Sequence, residues 1–269
     1  MSQVDAGRIA FIGMGAMGKK VLTSLKHKLP YHEFAYLVAE DRVVTLEDEV
    51  LAQGFGSAKD LIDWQPDLVV ECAGHGAVET VVPQLLEQGI DVVIASIGAL
   101  VDDALYAKLK RTAMRGNARI TLISGAIGGL DALRCALLSE LTSIVYEGRK
   151  PPHAWRGTPA ERLCDLDQLT GAKVFFEGTA REAAREYPKN ANVTAAVALS
   201  GLGFDHTSVK LIADPAVSQN SHTLHVSGAF GEFSIVLKNN PLPDNKRTSW
   251  LAALSVEEAV LKSIDTITF

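Results

Sequence analysis

The sequence predicts an α/β fold: an N-terminal doubly wound parallel sheet joined to a second, α+β unit. Three observations carry this. Short, continuously apolar runs alternate with longer helical segments through the first half of the chain. A glycine-rich turn, Gly13-Met14-Gly15-Ala16-Met17-Gly18, joins the first apolar run to the first helix. After Gly125 the texture changes to alternating strands and shorter helices.

The elements follow in order. Arg8–Ile12 is an apolar run closed by Gly13, and a helix runs from Ala16 to about Lys28 with Val21, Leu22 and Leu25 on one side. Glu33–Val38 is the next strand, and Leu61–Asp63 leads to a break at Trp64-Gln65-Pro66. Asp67–Glu71 is a strand closed by Cys72-Ala73-Gly74, and Ala77–Gln88 a helix stopped by Gly89. Asp91–Ala95, a helix over Asp102–Gly116 and Ile120–Ile123 complete the first unit. Strands apolar at every position have both faces covered, as helices cover them in a parallel sheet.

In the second half, helices are expected over Gly128–Leu138, Arg181–Tyr187 and Asn192–Leu199, and strands over Ile144–Arg149, Lys173–Glu177, Val209–Ala213 and His222–Val226. Pro151-Pro152 opens a polar loop. Gly231-Glu232 separates His222–Val226 from Phe233–Leu237 in a hairpin of antiparallel strands. Asn239–Pro243 reads as a linker, and Thr248–Ile264 as a final amphipathic helix. The expected domains are 1–124, with 241–269 packing back on it, and 125–240.

The 269 residues suffice for a sizeable core, and 47% hydrophobic with 22% charged residues is ordinary for a soluble globular protein. A net charge of −6 argues against nucleic acid or an anionic membrane as a partner. Cys72, Cys135 and Cys164 form no CxxC pair, so neither a disulfide framework nor a zinc site is expected, and the cytoplasm is the natural compartment. The N-terminus does not read as a signal peptide, and no apolar run is long enough for a membrane span. No metal-ligand spacing occurs.

The glycine turn has a specific chemistry. Between a strand and a helix, Gly13 permits the tight turn, Gly15 lets the backbone approach a pyrophosphate, and Gly18 lets the helix lie close to the strand. The helix start at Ala16 and Met17 offers free N–H groups to phosphate. This is a Rossmann-type dinucleotide site. About twenty residues on, Glu40 and Asp41 suit a ribose 2′-hydroxyl, whereas Arg42 suits a 2′-phosphate; a solvated loop is the plain alternative. NAD is slightly favoured and NADP stays open. Strand-end loops at Glu71–Gly76 (with Cys72, Ala73 and Gly74), Ser96–Ala99 and Ser124–Ala126 should rim the cofactor. Cys72 reads as a small buried filler before a nucleophile.

In the second half, Lys189-Asn190-Ala191-Asn192-Val193-Thr194 opens a helix, where Asn192 and Thr194 serve as caps or as a site for a carboxylate or carboxamide. His222 and His225 lie three apart on a strand and face opposite ways, so only one of them can serve a given site; His206 is a further candidate.

Together these segments resemble the L-aspartate dehydrogenase family: Gly13–Gly18, Glu71–Gly76, Ser124–Ala132, Lys189–Thr194, Ser221-His222 and Asn240-Pro241 through Thr248-Ser249. The resemblance implies a Rossmann domain joined to an α+β catalytic domain that also makes homodimer contacts. It implies oxidation of L-aspartate to iminoaspartate with NAD or NADP, and the reverse amination of oxaloacetate with ammonia, in some organisms feeding pyridine nucleotide biosynthesis. By position, Ala126 looks like a backbone contact to the nicotinamide end, Asn192 a second cofactor contact, and His222 the catalytic acid/base, expected to have a pKa near neutrality. Cations or N–H groups should hold the two substrate carboxylates; candidates are the turns after Gly125 and at Asn192–Thr194, then Lys189 and Lys246. Rival readings are a sister two-domain oxidoreductase, such as a dihydrodipicolinate reductase or a homoserine dehydrogenase, and a non-catalytic NAD(P)-binding redox sensor.

Overall fold

The computed structural model describes residues 7–43, 46, 51–243 and 245–267. They form two compact units, one running to Ile123 and resuming at Ala253, the other Ser124–Ala252.

The first unit is built on six parallel strands: β1 (Arg8–Ile12), β2 (Glu33–Leu37), β3 (Gln53–Phe55), β4 (Leu68–Glu71), β5 (Asp91–Ile94) and β6 (Ile120–Leu122). Their spatial order is β3-β2-β1-β4-β5-β6. The order reverses between β1 and β4, and in such sheets ligands bind beyond the carboxyl ends of the strands at that reversal. Ile9, Ala10, Phe11 and Ile12 of β1 are all buried, as a strand covered on both faces requires.

Sequence reading misses β3 and the helix Ala58–Asp63 that follows it. Three edge residues, one of them glycine, leave too short an apolar run to register. The helix expected over Ala77–Gln88 is two, His75–Thr80 and Val82–Glu87. Pro83, in the first turn of the second, has no N–H to continue the ladder. The helix Trp250–Ile264 has its buried Glu257 accept a hydrogen bond from Ser24 at 2.9 Å and pair with Lys28, both on the helix Ala16–Lys28.

The second unit carries a five-stranded sheet of β7 (Leu141–Lys150), β8 (Lys173–Thr179), β9 (Ser208–Ala213), β10 (Asn220–Gly228) and β11 (Gly231–Asn239), in the order β11-β10-β7-β9-β8. It is mixed, not wholly antiparallel: β7 and β9 run parallel, because the long connection from β7 returns by way of β8. The hairpin turns at Ala229-Phe230, two residues earlier than expected. Gly228 pairs with Gly231, so Gly231 opens the second strand and takes the positive φ there. The expected linker is not one. Asn239 ends β11, and β12 (Pro241–Leu242) pairs with β13 (Asn245–Ser249). Among the described residues, no helix is long and apolar enough to cross a membrane.

Candidate active site

In the first unit the site is made of backbone. Gly13 has φ of 86°, and a Cβ there would stand 2.6 Å from Ala73 Cα, so the turn after β1 and the loop after β4 touch only because this residue is glycine. A Cβ on Gly18 would stand 2.4 Å from the Gly13 carbonyl oxygen, which is the close helix–strand approach expected of the third glycine. Gly15 differs: a Cβ there would meet nothing within 4 Å. It precedes the helix Ala16–Lys28, whose first N–H groups have no side-chain cap. Open space beside unpartnered N–H donors at a helix start fits a pyrophosphate.

That turn belongs to a cleft of about 480 Å³ lined by Gly13, Met14, Gly15, Arg42, Cys72 and Ala73, among others. Ala16, Met17 and Gly18 continue into the helix. Glu40, in a short 3₁₀ turn beyond β2, is not among the lining residues, whereas Arg42 of the same turn is. Gly74 starts the helix His75–Thr80 with φ of 129°.

The loop after β4 is held by Glu71. Its fully buried carboxylate accepts from Ala73 N–H at 2.8 Å, Gly74 N–H at 2.7 Å, Ser96 N–H at 2.9 Å and Ser96 Oγ–H at 3.0 Å. One side chain thus pins the loops after β4 and β5. A buried carboxylate is tolerated only with its lone pairs satisfied in this way. Cys72 beside it is no nucleophile, because burial first and the Glu71 charge second push its thiol far above the ordinary value.

In the second unit the site is made of side chains. His222, on β10, is buried, and its Nδ1 lies 2.8 Å from the hydroxyl of Tyr146 on β7. The rings stack at 12° with centroids 6.0 Å apart. His225 faces the other way and meets Ser234 at 2.7 Å, as the three-residue spacing requires. The His222 imidazole is not poised near neutrality, as expected from sequence. Burial, and then the charge of Lys150, lower its pKa to about 3, so it is neutral.

Lys150 ends β7. Its ammonium sits 5.0 Å over the Trp155 ring and donates to Asn190 Oδ1. Burial lowers its pKa to about 8. Neither Tyr146 nor Lys150 carries a sequence signal, since both lie in an ordinary strand; only the register of β7 against β10 brings them to His222. Of the residues that sequence reading singled out here, Asn192 is exposed on the helix Ala191–Ser200, and the buried Thr194 hydroxyl donates back to the Asn190 carbonyl at 3.4 Å. Ala126 is buried and its carbonyl accepts from Asn239 Nδ2 at 2.6 Å. The side chains of Lys189 and Lys246 lie outside the described residues.

The chain matches two family models: a homoserine dehydrogenase NAD-binding domain over residues 13–122 and an aspartate dehydrogenase C-terminal domain over residues 131–263. It is similar to the L-aspartate dehydrogenase of Cupriavidus necator, at 46% identity over 94% of this chain and 96% of that protein. The L-aspartate dehydrogenase of Pseudomonas aeruginosa is 44% identical over the same shares. Among solved structures, the aspartate dehydrogenase of Thermotoga maritima shares the fold, with a TM-score of 0.74 at 24% identity over 98% of this chain and 99% of that one.

Proposed function

The chain belongs to the L-aspartate dehydrogenase family, and on that premise we propose that it oxidises L-aspartate to iminoaspartate with NAD or NADP, and runs the reverse amination of oxaloacetate with ammonia. The observation that carries this reading is that the likeness runs through both units. The second unit matches the aspartate dehydrogenase C-terminal model over residues 131–263.

The residues divide the work. Gly13 and Gly15 with the first turn at Ala16 and Met17 would receive the pyrophosphate, Gly18 lets that helix lie close to the turn, and Glu71 holds the loop Cys72-Ala73-Gly74, of which Cys72 and Ala73 line the same cleft. Ala126 and Asn192 are the cofactor contacts that family position suggests, with Asn192 and Thr194 as the substrate contacts proposed on the same ground. The cofactor, when bound, accepts or supplies the hydride at the substrate's C2; geometry and charge are the protein's share. Lys150, whose ammonium donates to Asn190 and whose charge bears on His222, is the cation we assign to a substrate with two carboxylates. His222 is the catalytic residue. Being neutral, it accepts a dianionic substrate without first losing a proton. We assign the chain to the cytoplasm and expect a homodimer.

The test is NADH and NADPH oxidation with oxaloacetate and ammonium, beside cyclic and semialdehyde substrates. Ammonium-dependent turnover is expected with oxaloacetate alone, and its absence with both cofactors would overturn the reading. His222→Ala should cut kcat by about 10²-fold or more while cofactor affinity survives.

A further inference from the structure

Tyr146 is fully buried, and among the described residues its hydroxyl makes one hydrogen bond, to His222 Nδ1 at 2.8 Å. The residue opposite His222 across the β7–β10 pairing is Gly148. A Cβ there would stand 3.0 Å from the Tyr146 hydroxyl oxygen, so this glycine leaves room for the hydroxyl beside the imidazole. The other ring nitrogen, Nε2, makes no hydrogen bond among the described residues. It is also not one of the fully enclosed, unpartnered side-chain atoms, which are Tyr187 Oη and Ser249 Oγ.

Two arrangements of the one bond exist. If His222 carried its proton on Nδ1 and donated to the tyrosine oxygen, the tyrosine proton would be buried with no acceptor, at a cost of about 1–3 kcal/mol. If Tyr146 donates, both groups are satisfied and the imidazole proton lies on Nε2. Resting on the reading that His222 meets the substrate, we propose that Tyr146 is a positioning residue that fixes His222 as the Nε2–H tautomer, making the imidazole a hydrogen-bond donor to a substrate oxygen, the carbonyl oxygen of oxaloacetate in the amination direction. The ring then polarises the C=O bond toward attack by ammonia without giving up its proton. Conversely, Nε2 does not accept the ammonium proton of aspartate, which leaves to solvent before the amine binds. Besides Tyr146, the charged group that bears on the ring is Lys150, also on β7, and its positive charge acts in the same sense, against an imidazolium.

Long-range proton–nitrogen NMR on the full chain labelled with ¹⁵N-histidine reads the tautomer directly, with His222 assigned by its loss in His222→Asn. The expected wild-type pattern is a protonated Nε2 and a bare, hydrogen-bonded Nδ1 from about pH 5 to about pH 9. Tyr146→Phe keeps the ring and its packing. It should mix the tautomers and lower kcat/KM for oxaloacetate about tenfold, with cofactor affinity and unfolding midpoint kept. A wild-type Nδ1–H or imidazolium pattern in that range overturns the proposal, as does a Tyr146→Phe spectrum identical to wild type. His222→Ala with near wild-type turnover would instead remove the assignment beneath it, and leaves the tautomer result standing on its own.

Discussion

The two units hold their functional groups by different physics. In the first, the site is contiguous backbone: a turn between β1 and a helix whose donors are N–H groups and whose shape is set by where Cβ atoms are missing. In the second, it is a set of buried polar side chains brought together by strand register, with Tyr146 and His222 76 residues apart. Backbone donors cost nothing to keep in place, because a helix end leaves them unpartnered anyway. A buried ammonium or imidazole is a standing expense, held only because the surrounding packing allows no other arrangement. The first unit should therefore lose function through shape, and the second should gain stability when its function is removed.

The largest expected effect tests the second half of that contrast. Lys150→Met keeps the stem over Trp155 and removes the charge, and kcat/KM for oxaloacetate should fall about 10²-fold, as for loss of a charged partner to a substrate anion. Stability should move the other way. The Lys150 ammonium has its pKa lowered from 10.5 to about 8, so the unfolded chain binds its proton more readily than the folded one. Wild-type stability is then highest above the upper value, falls as pH drops toward the lower, and is level beneath it. The penalty at neutral pH is about 3 kcal/mol, and the lost bond to Asn190 offsets part of it. Urea unfolding should show the variant about 1–2 kcal/mol more stable at pH 7, with this pH slope gone. A variant less stable than wild type would show that the ammonium holds the unit together, and the contrast would fail.

A pair of alanines tests the first half. Gly13→Ala puts a Cβ into the Ala73 backbone at a positive φ, and should cost about 2 kcal/mol or more of stability. Gly15→Ala meets nothing in the protein, so its unfolding midpoint should match wild type to within about 0.5 kcal/mol. Calorimetric titration should nonetheless show cofactor affinity weakened about tenfold or more, because the added methyl stands where the pyrophosphate approaches. If Gly15→Ala binds cofactor normally, the space beside it is not the phosphate site.

The same contrast explains what could be read from the chain before folding. The glycine turn was legible because its residues are adjacent and each spacing has one geometric meaning. Apolar runs such as Ile9–Ile12 and Val92–Ile94 were legible because a strand segment buried on both faces shows no polar position. The short edge strand Gln53–Phe55 carried too little of that signal. His222 was found by family resemblance, but its neutral state was not, because the burial and the Lys150 charge that set it come from elsewhere in the sheet. Tyr146 and Lys150 look like ordinary residues until β7 pairs with β10. The parallel pairing of β7 with β9 was hidden for the same reason, since register between distant strands has no local signature.

The smallest expected effect marks where side chains re-enter the backbone-built unit. Beyond β2, Glu40 and Arg42 share one short turn, and Arg42 is the one that lines the cleft. A carboxylate at the ribose edge accepts from a 2′-hydroxyl and repels a 2′-phosphate, whereas a guanidinium does the reverse through charge-assisted bonds. Arg42 is exposed, so water and salt screen it and its contribution is modest. Arg42→Ala should weaken NADP about tenfold and leave NAD within about twofold, measured by titration at fixed ionic strength. The asymmetry is the point of the measurement. The pyrophosphate site cannot tell the two cofactors apart, because it reads only what they share, so any preference must come from a side chain at the ribose. Equal loss of both cofactors would mean that Arg42 shapes the turn without touching the phosphate, and the choice between NAD and NADP would then fall to Glu40.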